Sequence, residues 1–382
     1  MNKTIHYLCL ALIVISSACS SGEKALQQGN YFAAVSKAVD RLRSNPDKVK
    51  AQETLLSSYP LAVNWYEREI NNLMASADPF KNTKSVDKYN LLNRMYNDIN
   101  KCPAALQLIP NAKSFHNELE LAKQNAAPEC YEAGVRELTK GGRQDGINAF
   151  NHFSKANSFV PNYRDVQEKL AEAEYIATLK VVIEHIPVHS KRYQVSAEFF
   201  QDQVTQYIFH NIQRKFVRFY TPKQAELEKL EYPDQVIAIG FEEFIIGETH
   251  DTNFEKEVTS ADSVEVGSTT LKSGEKIKVY NKVKAKLHIH NREVISKGLL
   301  ALKVIEFDNQ KILNQKQFAG QFNWFYEWGH FNGDERALTE KELQICENEP
   351  ILPPPHQDLF IEFTKPIYKD LTQELKRFYN RY

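Results

Sequence analysis

The spacing of apolar positions along the chain changes near residue 178. Over residues 22–178 they recur at helical spacing, and turn-forming residues come in small clusters such as Asn45-Pro46-Asp47, Lys101-Cys102-Pro103 and Gly141-Gly142. This predicts helices joined by short turns. From Leu179 onward strands and helices are expected to alternate. "LKVVIEHIPV" reads as a strand, and "SAEFFQDQVTQYIFHNIQRK" as a helix with Phe200, Val204, Tyr207, Ile208 and Ile212 on one stripe. "FVRFY" predicts a second strand, residues 225–230 a short helix, and "QVIAIGFEEFIIG", apolar on both faces, a central strand covered on both sides. Two long strand regions follow, "EKIKVYNKVKAKLHIHNREV" and "GLLALKVIEFDNQKILNQKQFAGQFNW", the second bent at Asp308-Asn309. After the stiff Pro353-Pro354-Pro355 break, a last helix aligns Phe360, Phe363, Ile367, Leu371, Leu375 and Phe378, with a kink or restart at Pro366.

This order predicts an α+β multidomain chain. A helical domain is expected over 19–178, an α/β sandwich with a mixed sheet over 179–352, and a C-terminal helix within 353–382 packed on the sheet domain. Residues 1–18 have the build of a secretory signal: Lys3, an apolar run from Tyr7 to Ile15, then Ser16, Ser17 and Ala18. The run is shorter than the roughly 20 apolar residues of a transmembrane helix, so a processed signal is expected. Ser16-Ser17-Ala18-Cys19 resembles the lipobox of bacterial lipoproteins, with Ser16 where a large aliphatic residue is usual. The resemblance implies an envelope lipoprotein of the Bacteroidetes type, with Cys19 acylated on sulfur (palmitate-type lipid) as the mature N-terminus. Ser20-Ser21-Gly22-Glu23-Lys24 has neither the aspartate that resembles an inner-membrane retention signal nor an acidic surface-export run. The expected anchor site is the periplasmic face of the outer membrane. Several acyl chains hold stably there, each buried methylene contributing about 0.8 kcal/mol.

Within the helical region, "GNYFAAVSKAVDRLRSNP" carries Gly29, Tyr31, Ala34, Ala38 and Pro46, and "AFNHFSKANSFVP" carries Ala149, Phe153, Ala156 and Pro161. In both, a small or aromatic residue stands four after the first alanine and a proline twelve after it. The pattern resembles the tetratricopeptide repeat (TPR), in which small residues sit where paired helices touch, an aromatic fills the groove and proline ends the second helix. It implies a TPR-like region with a surface for peptides or partner domains. The order of elements after residue 178 resembles the small envelope domains of curli-secretion lipoproteins and of lipoprotein activators of penicillin-binding proteins, which implies an assembly or activator role.

Charge sets limits on partners. Lys and Arg number 48 against 49 Asp and Glu, a balance that argues against nucleic acid as a bulk partner. The local distribution is less even. Across 275–292, Ile277, Val279, Val283, Ala285, Leu287 and Ile289 alternate with Lys276, Lys278, Lys282, Lys284, Lys286, His288 and His290, so one face is expected in the core and the other forms a basic stripe. Lys278, Lys282, Lys284 and Lys286 fit an anionic glycan, lipid head groups or an acidic envelope protein; they also fit a solvated face that discourages strand aggregation.

"NWFYEWGHFNGDERAL", residues 323–338, is read as a loop. Trp324 and Trp328 in it are candidates for partner or glycan contact, while Asp334 is also placed to cap a helix starting near Arg336. Once Cys9 leaves with the signal and Cys19 is acylated, Cys102, Cys130 and Cys346 remain; Cys102 and Cys130 are either one disulfide or reduced buried thiols. His185 and His189, flanking Pro187, are expected to be structural. P-loop, dinucleotide, zincin, nucleophile-elbow and c-type haem motifs are missing from the sequence; no cofactor and no metal is expected. The functional expectation is a non-enzymatic outer-membrane lipoprotein that scaffolds envelope proteins in secretion, outer-membrane assembly or wall synthesis. The alternative is a glycan-binding or glycan-active protein using residues 323–338.

Overall fold

The computed structural model describes residues 22–186 and 194–382; the expected signal, Cys19 and His189 lie outside the described residues. The chain divides into two compact units between Ala177 and Thr178, one helical and one built on a mixed sheet, an α+β architecture.

The helical unit runs through α1 (Glu23–Gln27), α2 (Tyr31–Ser44), α3 (Val49–Ala75), α4 (Lys81–Asn100), α5 (Pro103–Leu108), α6 (His116–Leu138), α7 (Arg143–Phe159) and α8 (Val166–Ala177). Neighbours in the chain pack on one another: α2 on α3, α3 on α4, α6 on α7 and α7 on α8, with α4 also against α6. Gly29, at φ 73°, makes the turn from α1 into α2. Asn30 then caps α2, its side chain accepting from the Ala33 N–H at 3.1 Å. The buried stripe of α2 is Ala34, Val35, Ala38, Val39 and Leu42, one face at helical period.

The disulfide considered for Cys102 and Cys130 does not form: both are buried free thiols. Cys130 Sγ lies 3.4 Å from Thr83 Oγ1 near the start of α4, whereas Cys102 lies beyond the last residue of α4. The helix between them holds the sulfurs about 30 Å apart, at about 1.5 Å per residue.

Helix α4 has Phe80 at its N-cap and no side-chain cap there. Glu129 of α6 supplies one from a distance. Its carboxylate accepts from the backbone N–H of Asn82 at 2.9 Å and of Thr83 at 2.8 Å, and from both side chains at 2.7 and 2.9 Å. Two orphan donors are satisfied, and a negative charge meets the positive end of the helix dipole. Glu129→Ala is expected to destabilise this unit by roughly 2 kcal/mol, the scale of a lost cap with donors left unpaired. Urea titration followed by circular dichroism checks it; a midpoint equal to the parent's would show that the cap contributes nothing.

The second unit contains β1 (Leu179–Ile183), α9 (Gln194–Asn211), β2 (Val217–Tyr220), α10 (Pro222–Leu227), β3 (Gln235–Thr259), β4 (Val264–Thr270), β5 (Lys276–Asn281), β6 (Lys284–Glu306), β7 (Ile312–Gly333), α11 (Glu340–Glu347) and α12 (His356–Tyr379). Five strands form one sheet in the order β2-β1-β3-β6-β7. β1 is parallel to both its neighbours and the other pairs are antiparallel. Bulges in β3 after Phe241 and Ile245 bend the sheet. On β6 the even-numbered Leu300, Leu302 and Val304 are fully buried with Phe200, Val204 and Ile208 of α9 and Phe363, Ile367 and Leu371 of α12. Further along, the odd-numbered Ala285 and Leu287 are buried instead, with Leu343 of α11 packed beside them. The two ends of β6 therefore bury opposite faces. A single helix runs through Pro366 in α12.

Three strand expectations change. Residues 275–292 are not one strand: β5 pairs only with β4 in a separate two-stranded ribbon, and Ile277 and Val279 are 42% and 41% exposed rather than in the core. Asp308-Asn309 sits in the connection that turns β6 back along β7. Residues 323–333 belong to β7, not to a loop.

Candidate functional site

The halves of β6 and β7 beyond Val294 and Trp324 carry a cluster of aromatic and charged side chains. On β7, alternation puts Trp324, Tyr326, Trp328 and His330 on one face. Register places Val294, Arg292, His290 and His288 of β6 opposite them, and Thr249, Asp251, Asn253 and Glu255 of β3 beyond those.

Six rings form a continuous stack. Centroids are 5.8 Å apart for Trp324 and Tyr326, 6.1 Å for Tyr326 and Trp328, and 5.4 Å for Trp328 and His290. His290 to His330 is 5.9 Å and His330 to His288 4.7 Å, all with planes within 27° of parallel. These are offset-stacked separations, with the rings turned toward one another.

Charged side chains lock the stack to its neighbours. Arg292 makes two bonds of 2.8 Å to the Asp251 carboxylate and lies 5.3 Å from the Trp328 ring centroid. The Arg292 hydrogen bonds hold Asp251 below the ordinary carboxylate range. His290 Nδ1 is 2.7 Å from Asn253 Oδ1. Tyr326 Oη donates to the Glu349 carbonyl at 3.0 Å, and Asn348 Nδ2 to the Glu327 carbonyl at 2.9 Å. The chain leaving α11 is thereby tied to β7.

The expected basic stripe resolves into cross-strand ion pairs. Lys278 meets Glu265 at 2.7 Å and Lys284 meets Glu257 at 2.6 Å; Lys286 pairs with Glu255, which also faces His288. Hydrogen bonds from Lys286 and Lys284 lower the pKa values of Glu255 and Glu257. Lys282 is exposed at the break between β5 and β6. Opposite charges facing across neighbouring strands favour this register.

Asp334 and Glu335 do not form an acid-base pair across a cleft. Asp334 caps the single 3-10 turn Glu335–Ala337 by accepting from the Arg336 N–H at 3.1 Å, and the Arg336 side chain holds its pKa down at about 2. His185 is exposed. Ala34, Ala38, Ala149, Phe153 and Ala156 are fully buried; Tyr31 opens α2 with its ring 5.9 Å from Trp65, and Pro46 and Pro161 stand beyond the ends of α2 and α7.

Sequence reasoning passed over Tyr326, Arg292 and Asp251. The available signal was Trp-x-Tyr-x-Trp-x-His over 324–330, a period of two that marks one strand face, matched by Asp251, Glu255 and Glu257 at the same period.

Among the described residues no three His, Cys, Asp or Glu side chains come together to hold a metal ion, and no helix is long and apolar enough to cross a membrane. Compared with known proteins, the sequence matches no family model and no curated protein.

Proposed function

We propose that this chain is a non-enzymatic lipoprotein, anchored through Cys19 at the periplasmic face of the outer membrane, whose TPR-like helical unit recruits protein partners in the envelope. The observation that carries the reading is nearest-neighbour helix packing with the smallest residues at the contacts. Ala34, Ala38, Ala149 and Ala156 have no exposed surface. A Cβ at Gly134 of α6 would lie 2.7 Å from the Phe153 ring of α7, so the pair approaches as closely as glycine permits. Stacks of this kind offer an extended surface rather than an enclosed catalytic cleft. The helical unit also leaves Leu61 and Trp65 of α3 45% and 42% exposed, one turn apart, and aromatic residues in such positions are frequent anchors of protein contacts.

Fractionation and crosslinking test this. Cys19→Ala is expected to leave the membrane fraction or to accumulate as unprocessed precursor, since no other segment supplies a bilayer anchor in this reading. Normal maturation with membrane retention in high salt would defeat it. Crosslinked co-purification from detergent-solubilised outer membrane is expected to yield a stable partner band that weakens for Trp65→Ala.

A further inference from the structure

Strand β7 forms one edge of the five-stranded sheet. Its pairing with β6 follows one register from Asn314 to Gly333 without a bulge. The Asp334 N–H donates to the Lys284 carbonyl at 3.2 Å on that register, so even-numbered residues of β7 exchange main-chain bonds with β6 and odd-numbered ones point their N–H and C=O groups away from it. Asn348 on the Glu327 carbonyl agrees. Nothing similar occupies the outward main-chain groups of Gln315, Gln317, Ala319, Gln321, Asn323 or Phe325 among the described residues.

Exposed strand edges normally carry charges, proline or a bulge that prevents pairing with another chain. Residues 315–325 contain no proline and a single charge, Lys316, and Lys316 is turned to Glu374 of α12 at 2.8 Å. The edge is therefore regular and unguarded, which is the chemistry that an extended strand recognises.

The geometry points to a second copy of this chain as the occupant, with β7 pairing antiparallel to β7 of its partner about a two-fold axis at Ala319. That register sets Ala319 against Ala319 of the other copy, Gln317 against Gln321, Gln315 against Asn323 and Leu313 against Phe325. Amide faces amide, apolar faces apolar, and no like charges meet among the outward positions. A two-fold interface requires such self-complementarity. The inference is independent of the anchoring and recruitment proposed above.

Sedimentation of the full mature chain in detergent tests it. The parent is expected to show twice the protomer mass at micromolar concentration. Ala319→Lys, at an exposed position, is expected to sediment as a monomer with an unchanged melting profile. In a Cys346→Ser background, Ala319→Cys is expected to crosslink between copies under mild oxidation, because directly opposed residues of such a pair stand about 5.5 Å apart, within disulfide reach; Phe325→Cys, far from the axis, is not. A monomeric parent, a dimer that survives Ala319→Lys, or equal crosslinking at both cysteines overturns the proposal. Capture of a heterologous extended peptide by a monomeric parent overturns it too, since the edge would then serve a different partner.

Discussion

Gly320→Ala is expected to unfold the sheet unit more readily than any other methyl addition on β7, at a cost of about 3 kcal/mol or more. Gly320 and Gly298 lie side by side on β7 and β6 beneath α12. A Cβ on Gly320 would strike the main-chain carbonyl of Phe363 and come within 2.8 Å of Ile367 Cγ1. A main-chain atom inside a helix cannot rotate away, so α12 must lift. Phe363 and Ile367, both fully buried, would then lose their contacts with the sheet. Gly267→Ala serves as the control, because nothing lies within 4 Å of a Cβ there; its effect is expected within about 0.5 kcal/mol of zero. Denaturant titration of both variants decides the matter. Equal midpoints would mean that α12 does not rest on Gly320.

Glu374→Gln is expected to destabilise the same unit at neutral pH and to do so progressively less in acid. Glu374 lies on α12 and is only 8% exposed. Burial pushes its pKa up, but hydrogen bonds from Lys316, Arg377 and Asn314 outweigh that and hold it at about 2 against an ordinary 4.5. The carboxylate is thus favoured by the fold. Its contribution is complete above pH 4.5 and is lost as pH falls through that value toward 2. At about 1.4 kcal/mol per pH unit, the difference between parent and variant is expected to approach 3 kcal/mol at pH 7 and to narrow steadily below pH 4.5. Urea midpoints of the two proteins at pH 7, 5 and 3 measure it. A gap that stays constant across this range would remove the ion cluster as its cause.

The sheet surface shows what alternation within one segment leaves out. Lys278 lies on β5 and Lys284 and Lys286 on β6, so the stripe read as one strand is divided, and each lysine is matched by a glutamate from another strand. Glu255 and Glu257 stand about thirty residues earlier in the chain, and their proximity follows from β3 pairing with β6. The tryptophan segment repeats the lesson. Its residues are expected in a loop, whereas pairing of β7 with β6 stacks the rings on one another and on His290.

The sequence by itself determined the change from helical to mixed structure near residue 178, the sparing use of small residues at Ala34, Ala38, Ala149 and Ala156, and the apolar stripe of α12 from Phe360 to Phe378. These are local properties: period and side-chain size act over one or two turns of the chain, so the information lies within a short window. Tertiary structure alone decided the break between β5 and β6, the separate burial of Cys102 and Cys130, the capping of α4 by Glu129 and the edge position of β7. Each depends on which segment lies beside which. A carboxylate 46 residues from the N–H it caps, or a strand with no neighbour on one side among the described residues, leaves no periodic trace in the chain, because hydrogen bonds and ion pairs depend on distance in space and not on distance in sequence.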